Sequence, residues 1–214
     1  MLQSISRFYH RYILPRLIHW TCGLEPLAKQ REKLVPLARG LVLEVGIGSG
    51  HNLPYYRAEQ VQQVIGIDPS REVWQVGARE RFQPPFPVHF VQASASALPL
   101  KNQTVDTVLI TYALCTIPQV PEALQEMRRV LRPGGQLLFC EHGLAPDASV
   151  AGWQHRLTPL WKPVSGGCHL NRNMPELIRR AGFRLESLET GYLPGWKPAS
   201  YNFWGRAVPA ESDP

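Results

Sequence analysis

Between Leu43 and Pro54 the chain reads LEVGIGSGHNLP, with Gly46, Gly48 and Gly50 at alternate positions and an acid, Glu44, just ahead of them. Glycines this close let a backbone turn tightly and approach a ligand with no Cβ in the way. A dinucleotide fingerprint would put its third glycine at His51, and a pyrophosphate would be repelled by a nearby carboxylate. The pattern suits a ligand with cationic groups, such as an amine and a sulfonium. Asp68, in GIDPS, stands 18 residues beyond Gly50. A carboxylate ending a second strand accepts from both hydroxyls of a ribose, although DPS is also ordinary turn chemistry. Further along, His142, His169 and Arg172 offer two imidazoles that move protons near neutral pH and one fixed cation. Each also has a plain structural reading, as a cap or a hydrogen-bonding side chain.

These residues need a scaffold, and the hydrophobic pattern supplies one. GLVLEVG reads as a buried strand ending in the glycine loop, VQQVIGIDPS as a second strand ending at Asp68, and VHFVQAS, VDTVLITYAL and GGQLLFCEH as three more. REVWQVGARERF and PEALQEMRRVLRPGG read as helices, the latter stopping at Pro133-Gly134-Gly135. Alternation of strand and helix predicts a doubly wound, mostly parallel α/β sheet with ligands beyond the carboxyl ends of its strands. Residues 143–172 have no strand character and collect Trp153, His155 and Trp161. A helix MPELIRRAGF follows, capped by Asn173 and ended by Gly182, and two strand-like runs, RLESLETGYL and NFWGRAV, close the chain.

Ahead of the first strand, Ile5, Phe8, Tyr9, Tyr12 and Ile13 fall at i, i+3, i+4, i+7 and i+8, one apolar stripe on a helix. Pro15 is expected to interrupt it, with a second helical stretch running through Leu17, Ile18 and Leu24 towards Leu37. Residues 1–40 hold seven Arg and Lys against two acids, so this segment contributes +5 of the net +6. A basic amphipathic segment can rest on anionic lipid or nucleic acid, and can equally be a solvated helix face. The aromatic stripe, with Trp153 and Trp161, is either an apolar lid over a site or core packing.

With 214 residues, 44% of them hydrophobic, the chain can bury one substantial core. No apolar run approaches the roughly 20 residues of a membrane span. Cys22, Cys115, Cys140 and Cys168 are widely spaced with no CxxC, a pattern expected of reduced cytoplasmic thiols rather than of disulfides or a metal site. Cys115 and Cys168 read as small buried hydrophobes rather than nucleophiles. No nucleic-acid module is recognisable.

LEVGIGSGHN, GIDPS, ALPLKNQTVDTVLITYAL and VLRPGGQLLFCEH, in this order over about residues 40 to 142, resemble the successive motifs of class I S-adenosylmethionine-dependent methyltransferases. The resemblance implies a Rossmann-like sheet of seven strands, the last antiparallel. It also implies S-adenosylmethionine as cofactor and S-adenosylhomocysteine as product. Gly46, Gly48 and Gly50, with Glu44 and Asn52, would line the methionine part; Asp68 would hold the ribose and Pro69 would border the adenine. Many members carry an acid for the adenine amine where this chain has Ser94, so Ser94 or the Ala95 amide would take that contact. Thr111 and Tyr112 would lie near the transferable methyl. Residues 1–39 would form a helical cap on a methyltransferase domain of residues 40–214, with 143–172 as a substrate-side insertion.

No Asn/Asp-Pro-Pro-Tyr follows the fourth strand, which removes the usual mark of enzymes acting on planar nitrogens. LCTI, RRVLRPGGQLLFCEH and GGCHLNRN are similar to stretches of the methyltransferase-like thiol S-methyltransferases and their bacterial relatives. That likeness implies a small thiol or sulfide as acceptor, methylated by direct in-line transfer, with His142, His169 and Arg172 as candidates for raising its thiolate fraction. The membrane anchor of the animal proteins has no counterpart here, so the expectation is a cytoplasmic protein, peripheral to a membrane at most. N-methylation of a phospholipid headgroup or small amine is the enzymatic alternative. Cofactor binding without catalysis is the non-enzymatic one.

Overall fold

The computed structural model describes residues 7–210; Ile5 of the N-terminal stripe lies outside them. The chain opens on a π-turn, Tyr9–Ile13, that runs straight into α1 (Leu14–Cys22). Pro15 therefore does not break the helix. It sits in the first turn of α1, and the wide turn ahead, closed by the Leu14 N–H on the Tyr9 carbonyl, keeps its ring clear of the preceding backbone. The stripe does not pack as a core: Phe8, Tyr12, Ile13, Leu17 and Trp20 are all exposed. α2 (Glu25–Leu34) follows, with proline in its first turn, where a missing N–H costs nothing.

The strands are β1 (Gly40–Val45), β2 (Val61–Asp68), β3 (Val88–Gln92), β4 (Val105–Thr111), β5 (Leu131–His142), β6 (Phe183–Tyr192) and β7 (Tyr201–Pro209). They form one sheet in the order β3-β2-β1-β4-β5-β7-β6. The first five are parallel, and β7 runs antiparallel to both its neighbours. The order reverses between β1 and β4, so the crevice beyond their carboxyl ends is the switch point where such sheets take ligands.

Alternating side chains build a core on each face. Val108, Ile110, Leu137 and Phe139 face one layer, with α4 (Val120–Val130) and α6 (Met174–Arg180) upon it. Leu109, Leu138 and Cys140 face the other, against Leu34 of α2 and Tyr56. On α4 the residues Val120, Ala123, Leu124, Met127 and Val130 make one buried stripe at helical spacing. The helix ends at Val130, earlier than Pro133-Gly134 predicts. Arg132, preceding a proline, disfavours the helical region, and Leu131 already pairs with Val105 as β5 begins.

α3 (Arg71–Val76) is likewise shorter than its sequence pattern, and a 3-10 turn at Gly77–Arg79 follows it. Its N-cap is Ser70, whose hydroxyl accepts from the Val73 N–H at 3.3 Å. Gly77 is where this turn presses on the glycine loop: a Cβ there would stand 2.2 Å from the Ser49 carbonyl oxygen. Residues 143–172, expected to lack strands, contain α5 (Ala148–Val164). Gln154 anchors that helix to the end of the sheet. Its buried amide accepts from the Ala145 N–H and donates to the Gly143 and Pro198 carbonyls, each at 2.9 Å. A short helix, α7 (Lys197–Ser200), leads into β7. No helix among the described residues is long and apolar enough to cross a membrane.

Candidate active site

The glycine loop leaves β1 at the switch point, and all three of its glycines have positive φ: Gly46 at 73°, Gly48 at 55° and Gly50 at 89°. L side chains rarely adopt these angles. Gly46 also lies against the chain leaving β4, where a Cβ would stand 2.4 Å from that of Ala113. At Gly48 an added Cβ would meet Val73 Cγ1 at 3.8 Å, an ordinary van der Waals contact, so only its backbone angle calls for glycine. Asp68, ending β2, accepts from the Gly48 N–H at 3.1 Å and the Ser70 N–H at 2.8 Å. Burial raises its pKa, and these two bonds oppose the rise. A carboxylate has about four acceptor sites, so both oxygens keep capacity for further donors.

Glu44 lies beneath the loop. It is 1% exposed, and its two oxygens accept from Asn52 Nδ2 at 2.8 Å and the Tyr56 hydroxyl at 2.6 Å. Burial lifts its pKa to about 7 despite those bonds. Asn52 also donates to Thr111 Oγ1 at 3.0 Å, and its carbonyl accepts from Arg31 Nε at 3.0 Å. Glu44, Asn52 and Thr111 are thus one buried network that sets the glycine loop against the end of β4. Arg31 and Tyr56, which complete it, carry no local sequence signal that separates them from surface or core residues.

The N-terminal helices close on this loop. His19 Nδ1 pairs with Ser49 Oγ at 2.8 Å, and the His19 and His51 rings stack with centroids 4.8 Å apart. His51 Nε2 lies 2.9 Å from the His19 carbonyl, and burial followed by the Arg31 charge depresses its pKa to about 4. A neutral ring is therefore the donor here at neutral pH. The histidine that breaks the dinucleotide pattern is a docking point for α1.

Tyr112, expected near the transferable methyl, directly follows β4. Its backbone takes φ of 53°, a left-handed conformation at the end of β4. Its ring turns into the layer under α2, with the Arg31 guanidinium 5.4 Å from the ring centroid and the Cys140 thiol donating to its hydroxyl at 3.3 Å. The turn points the following amides at Glu141, whose carboxylate accepts from the N–H groups of Ala113 and Leu114 at 2.8 Å and Cys115 at 3.3 Å. Glu141 is fully buried, and burial lifts its pKa to about 7. Pro69 and Ser94 are exposed beyond β2 and β3, and Ala95 is buried in the core. Ser94 pairs with Ser96 Oγ at 2.8 Å.

Beyond β4 and β5 the structure gathers residues that are distant in sequence. His142 Nε2 lies 3.1 Å from Cys168 Sγ, and the ligand atoms of Cys115, His142 and Cys168 are all within 4.8 Å of one another. Wide spacing along the chain says nothing of this proximity. The hydrogen bond from Cys115 lowers the Cys168 thiol to about 4, and His142 adds to the effect. For His142, burial opposes protonation, but Cys168 and Glu141 outweigh it and raise the pKa. His169 sets its N–H and Nδ1 on the Cys115 carbonyl, at 2.9 and 3.2 Å. Burial lowers its pKa, with Arg172 adding to the effect. Arg172 donates to the Leu114 carbonyl at 2.5 Å. All three residues proposed for acceptor chemistry thus converge on the turn after β4. Cys115 and Cys168 were the members that pattern reading treated as core.

Known proteins are similar to this chain. The family model described as a methyltransferase domain matches residues 43–139. Thiol S-methyltransferase TMT1B of Rattus norvegicus is 32% identical over 170 residues, covering 78% of this chain and 70% of that protein. Phosphatidylethanolamine N-methyltransferase of Cereibacter sphaeroides is 26% identical over 158 residues, covering 66% and 69%. An S-adenosylmethionine-dependent methyltransferase structure from Methanosarcina mazei superposes with a TM-score of 0.65 at 19% identity, covering 88% of this chain and 99% of that one. With the glycine loop, Asp68 and the strand order in place, the chain belongs to the class I S-adenosylmethionine-dependent methyltransferases, in the family that includes the thiol S-methyltransferases.

Proposed function

We propose that this methyltransferase transfers a methyl group to a small thiol or sulfide. S-adenosylmethionine supplies a methyl on a sulfonium, which a nucleophile displaces in line. The loop suits it: its three glycines take left-handed backbone angles that make a tight turn, and Asp68 keeps acceptor sites for the ribose hydroxyls. In this reading Gly46 and Gly50 shape the cradle while Glu44, Asn52 and Thr111 hold it. Pro69, Ser94 and Ala95 border the adenine, and residues 7–39 cap the site.

The observation that carries the acceptor class is the charge around the turn after β4. The carboxylate buried there, Glu141, is fully enclosed and turned towards three backbone N–H groups rather than towards a cationic amine. Arg172 and two imidazoles surround the same turn and favour an anionic sulfur. With Nδ1–H on the Cys115 carbonyl, the neutral His169 ring keeps Nε2 free to take the thiol proton. His142 Nε2 is engaged by Cys168, so His169 is the better base of the two.

A second reading rests on the exposed apolar residues Phe8, Tyr12, Ile13, Leu17 and Trp20, interspersed with Arg11 and Arg16. Such a face suits the surface of an anionic membrane, and with it an amine headgroup as acceptor. Labelled S-adenosylmethionine offered to a panel of small thiols, with phosphatidylethanolamine liposomes in parallel, separates the two. Labelled thioether is the expected product. Label in the lipid alone would overturn the thiol reading.

A further inference from the structure

Cys115, Cys168 and His142 come from three separate places: the turn after β4, the loop after α5 and the last residue of β5. Their ligand atoms nonetheless lie within 4.8 Å of one another. Metal–sulfur bonds of about 2.3 Å and metal–nitrogen bonds of about 2.0–2.1 Å put the ligand atoms of a tetrahedral zinc site roughly 3.5–3.8 Å apart. The three atoms, one pair of them at 3.1 Å and all within 4.8 Å, would reach that spacing by small side-chain adjustments.

As a purely structural cluster it is poorly satisfied. His142 Nδ1 is buried with no hydrogen-bond partner, and Nε2 meets only a sulfur. A buried polar nitrogen left unpaired is destabilising. Meanwhile the backbone around the cluster is firmly held. Glu141 grips the amides of Ala113, Leu114 and Cys115, and His169 grips the Cys115 carbonyl. Gly166 and Gly167, at φ of 68° and 92°, turn the chain into Cys168. A firmly held backbone thus brings two thiols and an imidazole together as a preformed donor set.

We infer that Cys115, Cys168 and His142 bind a zinc ion with an open fourth position, and that the acceptor thiol enters there as its thiolate. The acceptor half of this inference rests on the thiol reading proposed above; the metal half does not. Two thiolates and an imidazole are a donor set that selects zinc, and three protein ligands are the number found where zinc keeps a position for substrate. Two thiolates neutralise the ion, so a third would leave one negative charge on the site, which the nearby Arg172 guanidinium offsets. The cluster lies near the glycine loop: Ala113, two residues before Cys115, is the residue against which Gly46 packs.

Zinc ionises a coordinated thiol at neutral pH. The acceptor R–SH gives its proton to His169 Nε2 and its sulfur to zinc. A lone pair of that sulfur then forms the new S–CH3 bond. The bond from the methyl to the sulfonium breaks with its pair staying on the donor sulfur, giving S-adenosylhomocysteine. The neutral thioether is a weaker ligand and leaves, His169 returns its proton to solvent, and the three protein ligands keep the ion.

The test is zinc content of the full chain, loaded under reducing conditions and desalted, beside Cys168→Ser and His142→Ala. S-adenosylmethionine binding serves as the check on folding. One zinc per chain in the parent, lost in both variants while cofactor binding persists, is the expected result. Should a variant fail to bind cofactor, chelator-stripped parent chain reloaded with cobalt replaces it; tetrahedral ligand-field bands with thiolate-to-cobalt charge transfer are expected, shifting when a small thiol is added. A parent chain that takes up neither metal, or that only forms a Cys115–Cys168 disulfide, overturns the metal site. Cobalt bands unmoved by thiol overturn the fourth-position assignment. Bound zinc with methylation only of an amine overturns the thiol reading and leaves the metal site standing.

Discussion

Arg31 Nε donates to Oδ1 of Asn52 at 3.0 Å, joining a helix ahead of the sheet to the loop at the switch point. The guanidinium is buried, and Nη1 also holds the Cys22 carbonyl that ends α1 at 2.7 Å. One cation therefore ties α1, α2 and the Glu44–Asn52–Thr111 network together, so the cap and the cradle are one mechanical unit.

Removing that tie should cost both stability and cofactor affinity. Arg31→Met keeps the aliphatic stem but leaves the Asn52 and Cys22 carbonyls unpaired, a loss of about 2–4 kcal/mol. A urea midpoint will report the first effect and calorimetric titration with S-adenosylmethionine the second. Lost stability with cofactor affinity unchanged would show that the N-terminal helices cap the loop without supporting it.

At Asp68 the effect should fall on the cofactor. Asp68→Ala removes charge-assisted bonds to the ribose worth on the order of 1.5–3 kcal/mol, so affinity should fall roughly 10- to 150-fold. An affinity equal to that of the parent would remove Asp68 from the site.

Two glycines of one loop should separate folding from binding. Gly46→Ala drives a Cβ to 2.4 Å from that of Ala113 at a φ of 73°. It should destabilise the chain by about 2–4 kcal/mol through overpacking and backbone strain. Gly48→Ala meets nothing closer than 3.8 Å, so only the left-handed backbone, about 1–2 kcal/mol, opposes folding. The loop is proposed to hold the cofactor, so a shift of its backbone should make binding suffer more than stability. Equal effects of the two substitutions on both readouts would contradict this division.

Glu44 should make stability depend on pH in a direction unusual for a carboxylate. Burial, partly offset by the bonds from Tyr56 and Asn52, raises its folded pKa to about 7, against about 4.3 in an unfolded chain. The folded state therefore holds more protons than the unfolded state between those values, and stability falls as pH rises through them. Below about pH 4 this cost is absent, and above about pH 7 it is fully present, on the order of 3–4 kcal/mol. Glu44→Gln should flatten the slope of the urea midpoint between pH 5 and 7, whatever it does to the midpoint itself. An unaltered slope would place the titration on another group.

Much of the architecture was legible along the chain because it rests on local periodicity. Apolar runs such as LVLEV and VLIT can be buried on two faces only as central parallel strands, and the α4 stripe can face only a sheet. The glycine loop and Asp68 were legible for the same reason, since both close strands. Element ends were less so: Pro15 and Pro133 act through the geometry of their neighbours, which composition does not contain. Beyond reach altogether was the company each side chain keeps. Glu44 looked like a ligand for a cation and became a buried acceptor, because Asn52 and Tyr56 arrive only when the loop folds back. Cys115 and Cys168 stand 53 residues apart and meet at His142 because β4 lies beside β5 and Gly166-Gly167 turns the chain inward. Sequence by itself determined the sheet, which follows from periodicity within single elements, and, through the family its motifs resemble, the cofactor class. Tertiary structure alone decided which thiols, imidazoles and carboxylates share a site, since that depends on strand order and on contacts between residues the chain keeps far apart.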